Sequence, residues 1–255
     1  MFKAYIICTT PRSGSTLLCK LLASAGTAGN PDSFYHKPQF MAEWATDWGI
    51  STDEGGSPEA FDRKYLAAAI LAGRAGTEVF GMRLQYKYLN IVTKMLGQIF
   101  PGVASDASRF SRAFGDPLYI HLSRTDKVAQ AVSLVRAEQS GLWHLNADGT
   151  DYERVSATGE VTYDFSRIHR EVTTLAREDT AWSEWFAGQK IQPYGLSYET
   201  LADHPIDALQ SVCRALGTTS PDVAYIIPEL SKLSDSTNDE WIRRYKFDLD
   251  KLKVS

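Results

Sequence analysis

Cysteine is scarce in this chain: Cys8, Cys19 and Cys213 are the three thiols among 255 residues. Their odd number and wide spacing exclude a disulfide framework and a cysteine-based metal site, and lead us to expect reduced thiols in a cytoplasmic setting. No apolar run approaches the roughly 20 residues of a membrane-spanning helix. A secretory leader is not expected either, because Lys3 interrupts an apolar stretch too short to be one. Positive charge is not in excess, with a net charge of −4, so a general nucleic-acid-binding surface is excluded while a local cationic pocket is not. Histidine is thin as well: His36, His121, His144, His169 and His204 are scattered without metal-ligand spacing, and no metal is expected. Repeats and low-complexity tracts are absent. What remains is a chain with apolar residues enough for a full core and a length that suits a single α/β domain over residues 1–255.

Strand and helix patterns alternate along it. Strands are expected at 4–10, at Glu78–Arg83, at Pro117–Leu122 and at Tyr194–Tyr198, and helices at 15–25, 59–74, 86–99, 126–140 and Phe165–Ala187. A further helix runs through Ile206, Leu209, Val212, Cys213 and Leu216, with Pro205 suited to its first turn and Gly217 to its C-terminal cap. The polar, glycine-containing stretches 101–116 and 145–162 read as surface loops or a lid. Such alternation implies an α/β, P-loop-like three-layer fold: a central, mostly parallel sheet flanked by helices.

The densest chemistry lies in Thr9-Thr10-Pro11-Arg12-Ser13-Gly14-Ser15-Thr16, where an apolar strand crosses a small-residue loop into a helix. A helix N-terminus behind such a loop seats a phosphate or sulfate. Gly14 lets the backbone approach an anion, Ser13, Ser15 and Thr16 offer hydroxyls, and Arg12 supplies a guanidinium able to grip two oxygens. A Walker A loop would need Gly at position 9 and Lys at position 15, where Thr9 and Ser15 stand, which argues against ATP as the donor.

A second strand delivers Arg124 to its C-terminal edge, where open α/β sheets bind ligands, and Ser133 follows in the next helix. An arginine and a hydroxyl so placed suit a second phosphate; the plainer reading pairs Arg124 with Asp126. Weaker signals are Ser197-Tyr198-Glu199 and Glu240-Trp241-Ile242-Arg243-Arg244-Tyr245. His121, alternating with Ile120 and Leu122, reads as a core or sheet-edge histidine.

Taken in order, these elements resemble the PAPS-dependent sulfotransferases, and most closely the bacterial trehalose 2-sulfotransferase-like group. The resemblance extends to Ala25–Pro31, to Ala129–Ser133 and to Trp143. It implies a sulfotransferase that moves a sulfuryl group from PAPS to a hydroxyl of a carbohydrate, glycolipid or other small acceptor, leaving PAP and needing no metal. It also implies that residues 11–16 (Arg12, Ser13, Gly14, Ser15 and Thr16 among them) hold the 5′-phosphosulfate, that Arg124, Ser133 and Arg244 serve the 3′-phosphate, and that Tyr198 lies near the nucleotide. A homodimer is left open. Two other readings stay open beside it: a kinase-like P-loop enzyme, and a PAP-binding protein without turnover.

One departure concerns the general base. Where the group carries Gly-x-Pro-x-Glu, this chain reads Gly29-Asn30-Pro31-Asp32-Ser33-Phe34-Tyr35-His36, with Ser33 in the glutamate's place. Were this segment a helical turn, His36 would share a face with Asp32 and Ser33. His36 is then the expected base, with Asp32 orienting it. Lys37, Arg83 and Lys87 are further cations that could reach the transferring group, Arg83 foremost because it ends a strand. The aromatic run Phe34, Tyr35, Phe40, Trp44 and Trp48 fits either an acceptor pocket or a buried helix face.

Overall fold

The computed structural model describes residues 2–50, 57–146, 150–155, 160–219, 230–231 and 235–254. Its centre is β1 (Ala4–Thr9), every residue of which is buried. A strand covered on both faces needs apolar side chains at both parities, and Ala-Tyr-Ile-Ile-Cys supplies them. Around it lie β2 (Phe80–Gln85), β3 (Leu118–Ser123) and β6 (Tyr194–Ser197), in the order β2-β1-β3-β6 and all parallel. Thr9 stands level with Gln85 on one side and Leu122 on the other. The loops that leave these strands therefore open at one edge of the sheet, as the alternation of elements implied.

Alternate residues of β1 face different cores. Ala4, Ile6 and Cys8 pack with Met82, Leu84, Tyr65, Val92, Leu96, Trp182 and Phe186. Met82 and Leu84 belong to β2, and the others come from α3 (Pro58–Arg74), α4 (Leu89–Ile99) and α7 (Phe165–Gly188). Tyr5 and Ile7 pack with Leu18 and Leu22 of α1 (Ser15–Ser24) and with Leu209 and Val212 of α9 (Pro205–Leu216). Helices thus cover both faces, which is the expected three-layer arrangement. A third cluster joins Val132 and Val135 of α6 (Lys127–Ser140), Ile168 and Leu175 of α7, and Trp241 and Tyr245 of α10 (Ser236–Val254).

The two stretches expected to be loops hold structure. Residues 101–116 contain α5 (Asp106–Phe114), capped by Ser105, whose hydroxyl accepts from the Ser108 amide at 3.1 Å, and anchored by Phe110 and Phe114. Phe110 and Phe114 are the two large apolar side chains in the nine, set among serines and charged residues. β4 (Leu142–Asn146) and β5 (Asp151–Arg154) pair as the two arms of an antiparallel hairpin, and β4 also pairs with β7 (Leu230–Ser231). The described residues thus hold two sheets, one wholly parallel and one antiparallel. The short helices α2 (Pro38–Asp47) and α8 (Tyr198–Asp203) complete the described elements. No described helix is long and apolar enough to cross a membrane.

Residues 31–36 do not form the helical turn expected of them. Asp32 instead makes a parallel bridge to Met82, and its carbonyl accepts from the Arg83 amide at 2.9 Å. The outer edge of β2 offers unpaired backbone groups, and the extended segment satisfies them. Pro38 then starts α2 two residues beyond His36. The approach is fixed by Gly29, which has φ +73 and where an added Cβ would lie 2.3 Å from the Gly73 carbonyl oxygen and 2.4 Å from that of Val79. Both obstacles are backbone. Gly29→Ala is expected to destabilise the fold by roughly 2–4 kcal/mol, strain and overpacking together, measured by urea denaturation; a loss below about 0.5 kcal/mol, the size of an ordinary surface substitution, would contradict this account of the segment.

Candidate active site

The turn between β1 and α1 is built from side chains that reach its carbonyls one after another. The Trp182 indole donates to the Thr9 carbonyl at 2.9 Å, the Ser13 hydroxyl to that of Thr10 at 2.9 Å, and the Gln130 amide to that of Pro11 at 2.6 Å. Arg124 then donates to the carbonyl of Arg12 at 3.3 Å. Arg12 sits at φ 61 and Gly14 at φ 82, so the chain turns through left-handed conformations there. Gly14 caps α1 with no side-chain hydrogen bond, and the N–H groups of the first helical turn are left for a ligand.

One cavity of about 850 Å³ opens above this turn. Arg12, Gly14, Ser15, Thr16, Arg124, Ser133 and Tyr198 line it together with Asp32 and His36, so most residues singled out by sequence meet there. The two anion elements touch directly, since Arg12 Nε donates to Ser133 Oγ at 3.0 Å. Arg124 lies 4.3 Å above the Tyr198 ring, and that ring also closes on Gly14, where an added Cβ would stand 2.7 Å from it. Arg124 does not pair with Asp126 in the way the plainer reading supposed: the Asp126 carboxylate caps α6, accepting from the Ala129 amide at 2.8 Å. The Arg124 Nε is buried without a partner among the described residues.

Two predicted donor contacts are placed elsewhere. The Ser13 side chain is wholly buried and bonds Thr9 Oγ1 and the Thr10 carbonyl, so its hydroxyl shapes the turn instead of facing the cavity. Arg244 is exposed on α10, stacked 4.1 Å over Tyr163, and does not line the cavity. The same helix contributes Asn238 to the wall, held by Arg136.

A second knot of polar groups sits where β2 ends. Arg83 donates to Thr16 Oγ1 at 2.8 Å and to Ser33 Oγ at 2.8 Å, and lies 3.7 Å from Asp32 Oδ1. Asp32 also accepts from the Ser33 amide at 2.6 Å. Its carboxylate thus serves Arg83 and its own turn, and no bond joins it to His36 among the described residues. The expected orienting role of Asp32 toward His36 is not what the geometry provides, because the segment is extended. His36 is instead held between aromatic rings, with centroids 4.1 Å from Tyr88 and 4.8 Å from Phe40. Burial, and then the charges of Lys87, Lys37 and Arg83, bring its pKa down to about 4. The aromatic run divides: Phe34 and Tyr35 are buried in the core, while Phe40 and Trp44 line the cavity.

His144 escaped the sequence reading. It stands on β4 at the border of a stretch without informative pattern, and its Nε2 lies 3.0 Å from Thr16 Oγ1. Beside it the Trp143 carbonyl accepts from Arg12 at 2.6 Å, so the hairpin is fastened across the start of α1. Burial first, then Arg12, Arg83 and Lys20, lower the His144 pKa to about 3. Adjacent Trp143 was the available signal. His121, read as a core or sheet-edge histidine, is half-buried on β3, edge-on to Phe186 at 5.4 Å, and its Nε2 has no hydrogen-bond partner among the described residues.

An arginine-bearing turn at a helix start and a second arginine one strand away can offer charge to two anionic groups. Two trehalose 2-sulfotransferases, from Mycobacterium tuberculosis and Mycolicibacterium smegmatis, are each 27% identical to the chain. The first aligns over 98% of the chain and 97% of its own length, the second over 96% and 95%. Among solved structures, the sulfotransferase domain of the Synechococcus olefin synthase aligns over 93% of the chain and 82% of that domain, at 16% identity and a TM-score of 0.45. Residues 4–248 match the Stf0 sulphotransferase family, which takes in the turn, the cavity walls and α10 alike; the chain belongs to that family and is a sulfotransferase.

Proposed function

We propose that the protein transfers the sulfuryl group of PAPS to a hydroxyl of a carbohydrate acceptor, with PAP as the second product. The observation that carries this reading is the joining of two cationic seats in one cavity, the open start of α1 with Arg12, and Arg124 above Tyr198 with Ser133 alongside. A donor phosphorylated at both its 5′ and 3′ positions matches two seats. The curated relatives, named for trehalose, favour a sugar as acceptor. Transfer of this kind passes through a loose transition state, so positioning and charge stabilisation do most of the work. The acceptor oxygen bonds to sulfur while the bond from sulfur to the bridging oxygen breaks, and its electron pair stays on the 5′-phosphate of PAP. Arg12 and the amides of the turn stabilise that developing charge. Arg83, held beside Thr16, faces the transferring group. The proton of the acceptor hydroxyl goes to His36, which is neutral at pH 7 because its pKa lies near 4.

Two measurements test this. Arg124→Ala is expected to weaken PAP more than tenfold, the loss of a charged hydrogen bond worth about 1.5–3 kcal/mol, and to weaken adenosine 5′-phosphosulfate less, through the lost bond to the Arg12 carbonyl alone. Equal weakening of both ligands in a calorimetric titration would remove Arg124 from the 3′-phosphate site. His36→Ala is expected to lower kcat by about 10²–10⁴ with PAP affinity intact. Since the histidine pKa is lowered, its neutral, proton-accepting form persists as pH falls and is lost only near pH 4. The wild-type rate should therefore stay flat through the neutral range, and an ascending limb near the ordinary histidine value of about 6.5 would contradict the assignment. A His36→Ala rate within about threefold of wild type, far short of a general base's contribution, would remove His36 as the base.

A further inference from the structure

The wall around His36 offers positive charge and hydrogen-bond donors where a neutral sugar would need acceptors. Lys37 lies at the N-terminal cap of α2 and Lys87 in the 3-10 turn Tyr86–Tyr88, and both line the cavity with His36, Phe40 and Tyr88. Lys87 Nζ stands 5.2 Å from the centre of the Tyr88 ring. The ion pairs of the cavity wall belong to other residues: Arg83 with Asp32 at 3.7 Å, and Arg167 with Glu138 at 2.9 Å. Among the described residues, Lys37 and Lys87 form none. Carboxylates do face Lys87 from a distance, Glu138 on α6 and Glu171 and Glu178 on α7, but Glu138 is committed to Arg167 and the other two do not line the cavity. The two lysines also lower one another's neighbours: Lys37 depresses Lys87, after desolvation, and both depress His36.

Lysine and arginine are donors only, whereas each sugar hydroxyl must also give its proton to something. Two carboxylates line the cavity, Asp32 and Glu138, and each already faces an arginine, Arg83 and Arg167. His36 Nδ1 and Gln85 Oε1 are buried without a hydrogen-bond partner among the described residues, and both residues line the cavity. The Ser33 hydroxyl accepts from Arg83. The donor's own phosphates have separate partners in Arg12, Arg124 and the start of α1.

We infer that the acceptor is a hydroxylated molecule carrying its own oxyanion, a carboxylate or a phosphate, which Lys37 and Lys87 bind while His36 receives the proton of the reacting hydroxyl. This rests on the proposed sulfuryl transfer from PAPS and names its acceptor class.

The test pairs each neutral sugar with its charged counterpart: glucose with glucose 6-phosphate and glucuronate, trehalose with trehalose 6-phosphate. Product formation with labelled PAPS and stabilisation of the PAP-saturated protein are measured for every member, alongside PAP binding itself. The charged members are expected to exceed the neutral ones by at least about tenfold in kcat/KM, the size of a charge-assisted contact, and the phosphate and uronate arms tell which oxyanion is preferred. Lys37→Gln and Lys87→Gln should erase that advantage through KM and leave PAP binding unchanged, while Lys87→Arg should retain it. Equal use of neutral and charged acceptors, or no stabilisation by any charged member, overturns the inference. So does an equal fall in kcat for every acceptor in the lysine variants, which would place the lysines on the transferring sulfuryl group. Failure of the chain to bind PAP would instead strike the donor reading, and the parallel PAP titration separates the two.

Discussion

Four consecutive backbone carbonyls, those of Thr9, Thr10, Pro11 and Arg12, are each held by a different side chain, and the site depends on that restraint. The donors are Trp182 from α7, Ser13 from the turn itself, Gln130 from α6 and Arg124 from the end of β3. An anion site needs amide hydrogens turned toward the ligand, and so the carbonyls must turn away. Here they turn into a dry interior, where a lost bond would leave a buried acceptor unsatisfied and cost about 1–3 kcal/mol. Gln130 is wholly buried for this purpose, and its amide also reaches the Thr10 hydroxyl at 2.9 Å. The same restraint ties both anion seats together, because Arg124 braces the Arg12 carbonyl while facing the cavity.

The parts that sequence made legible are those where chemistry and periodicity coincide. Strand β1 and helix α1 flank a loop whose residue types have one economical use, and Arg124 stands at the end of an unmistakable apolar strand. Other parts depend on partners distant in the chain. The extended path of residues 31–36 follows from the open edge of β2, some 50 residues on, which local preference could not reveal. Ser13 read as a ligand along with its neighbours, yet the tight turn points its hydroxyl inward to the Thr10 carbonyl. Helix α10 has charged residues on most of its surface, and its buried Trp241 and Tyr245 are meaningful only against α6 and α7. Arg244 and Asn238 show the same limit, since only the packed helix tells which side of it meets the cavity.

Electrostatics give the cavity its direction. Two imidazoles, His36 and His144, are both driven toward the neutral form by burial and by neighbouring cations, at about 4 and about 3. Neither adds to the positive charge that awaits an anion. His144 and Arg12 fasten the hairpin over the start of α1, while His36 stands among aromatic rings on the other side of Arg83.

A crystal structure of the protein with PAP tests the two-seat account most directly. The account predicts the 5′-phosphate on the first-turn amides of α1 beside Arg12, with the 3′-phosphate against Arg124 and Ser133. A 3′-phosphate lying away from Arg124, or a 5′-phosphate outside the turn of residues 11–16, would contradict it.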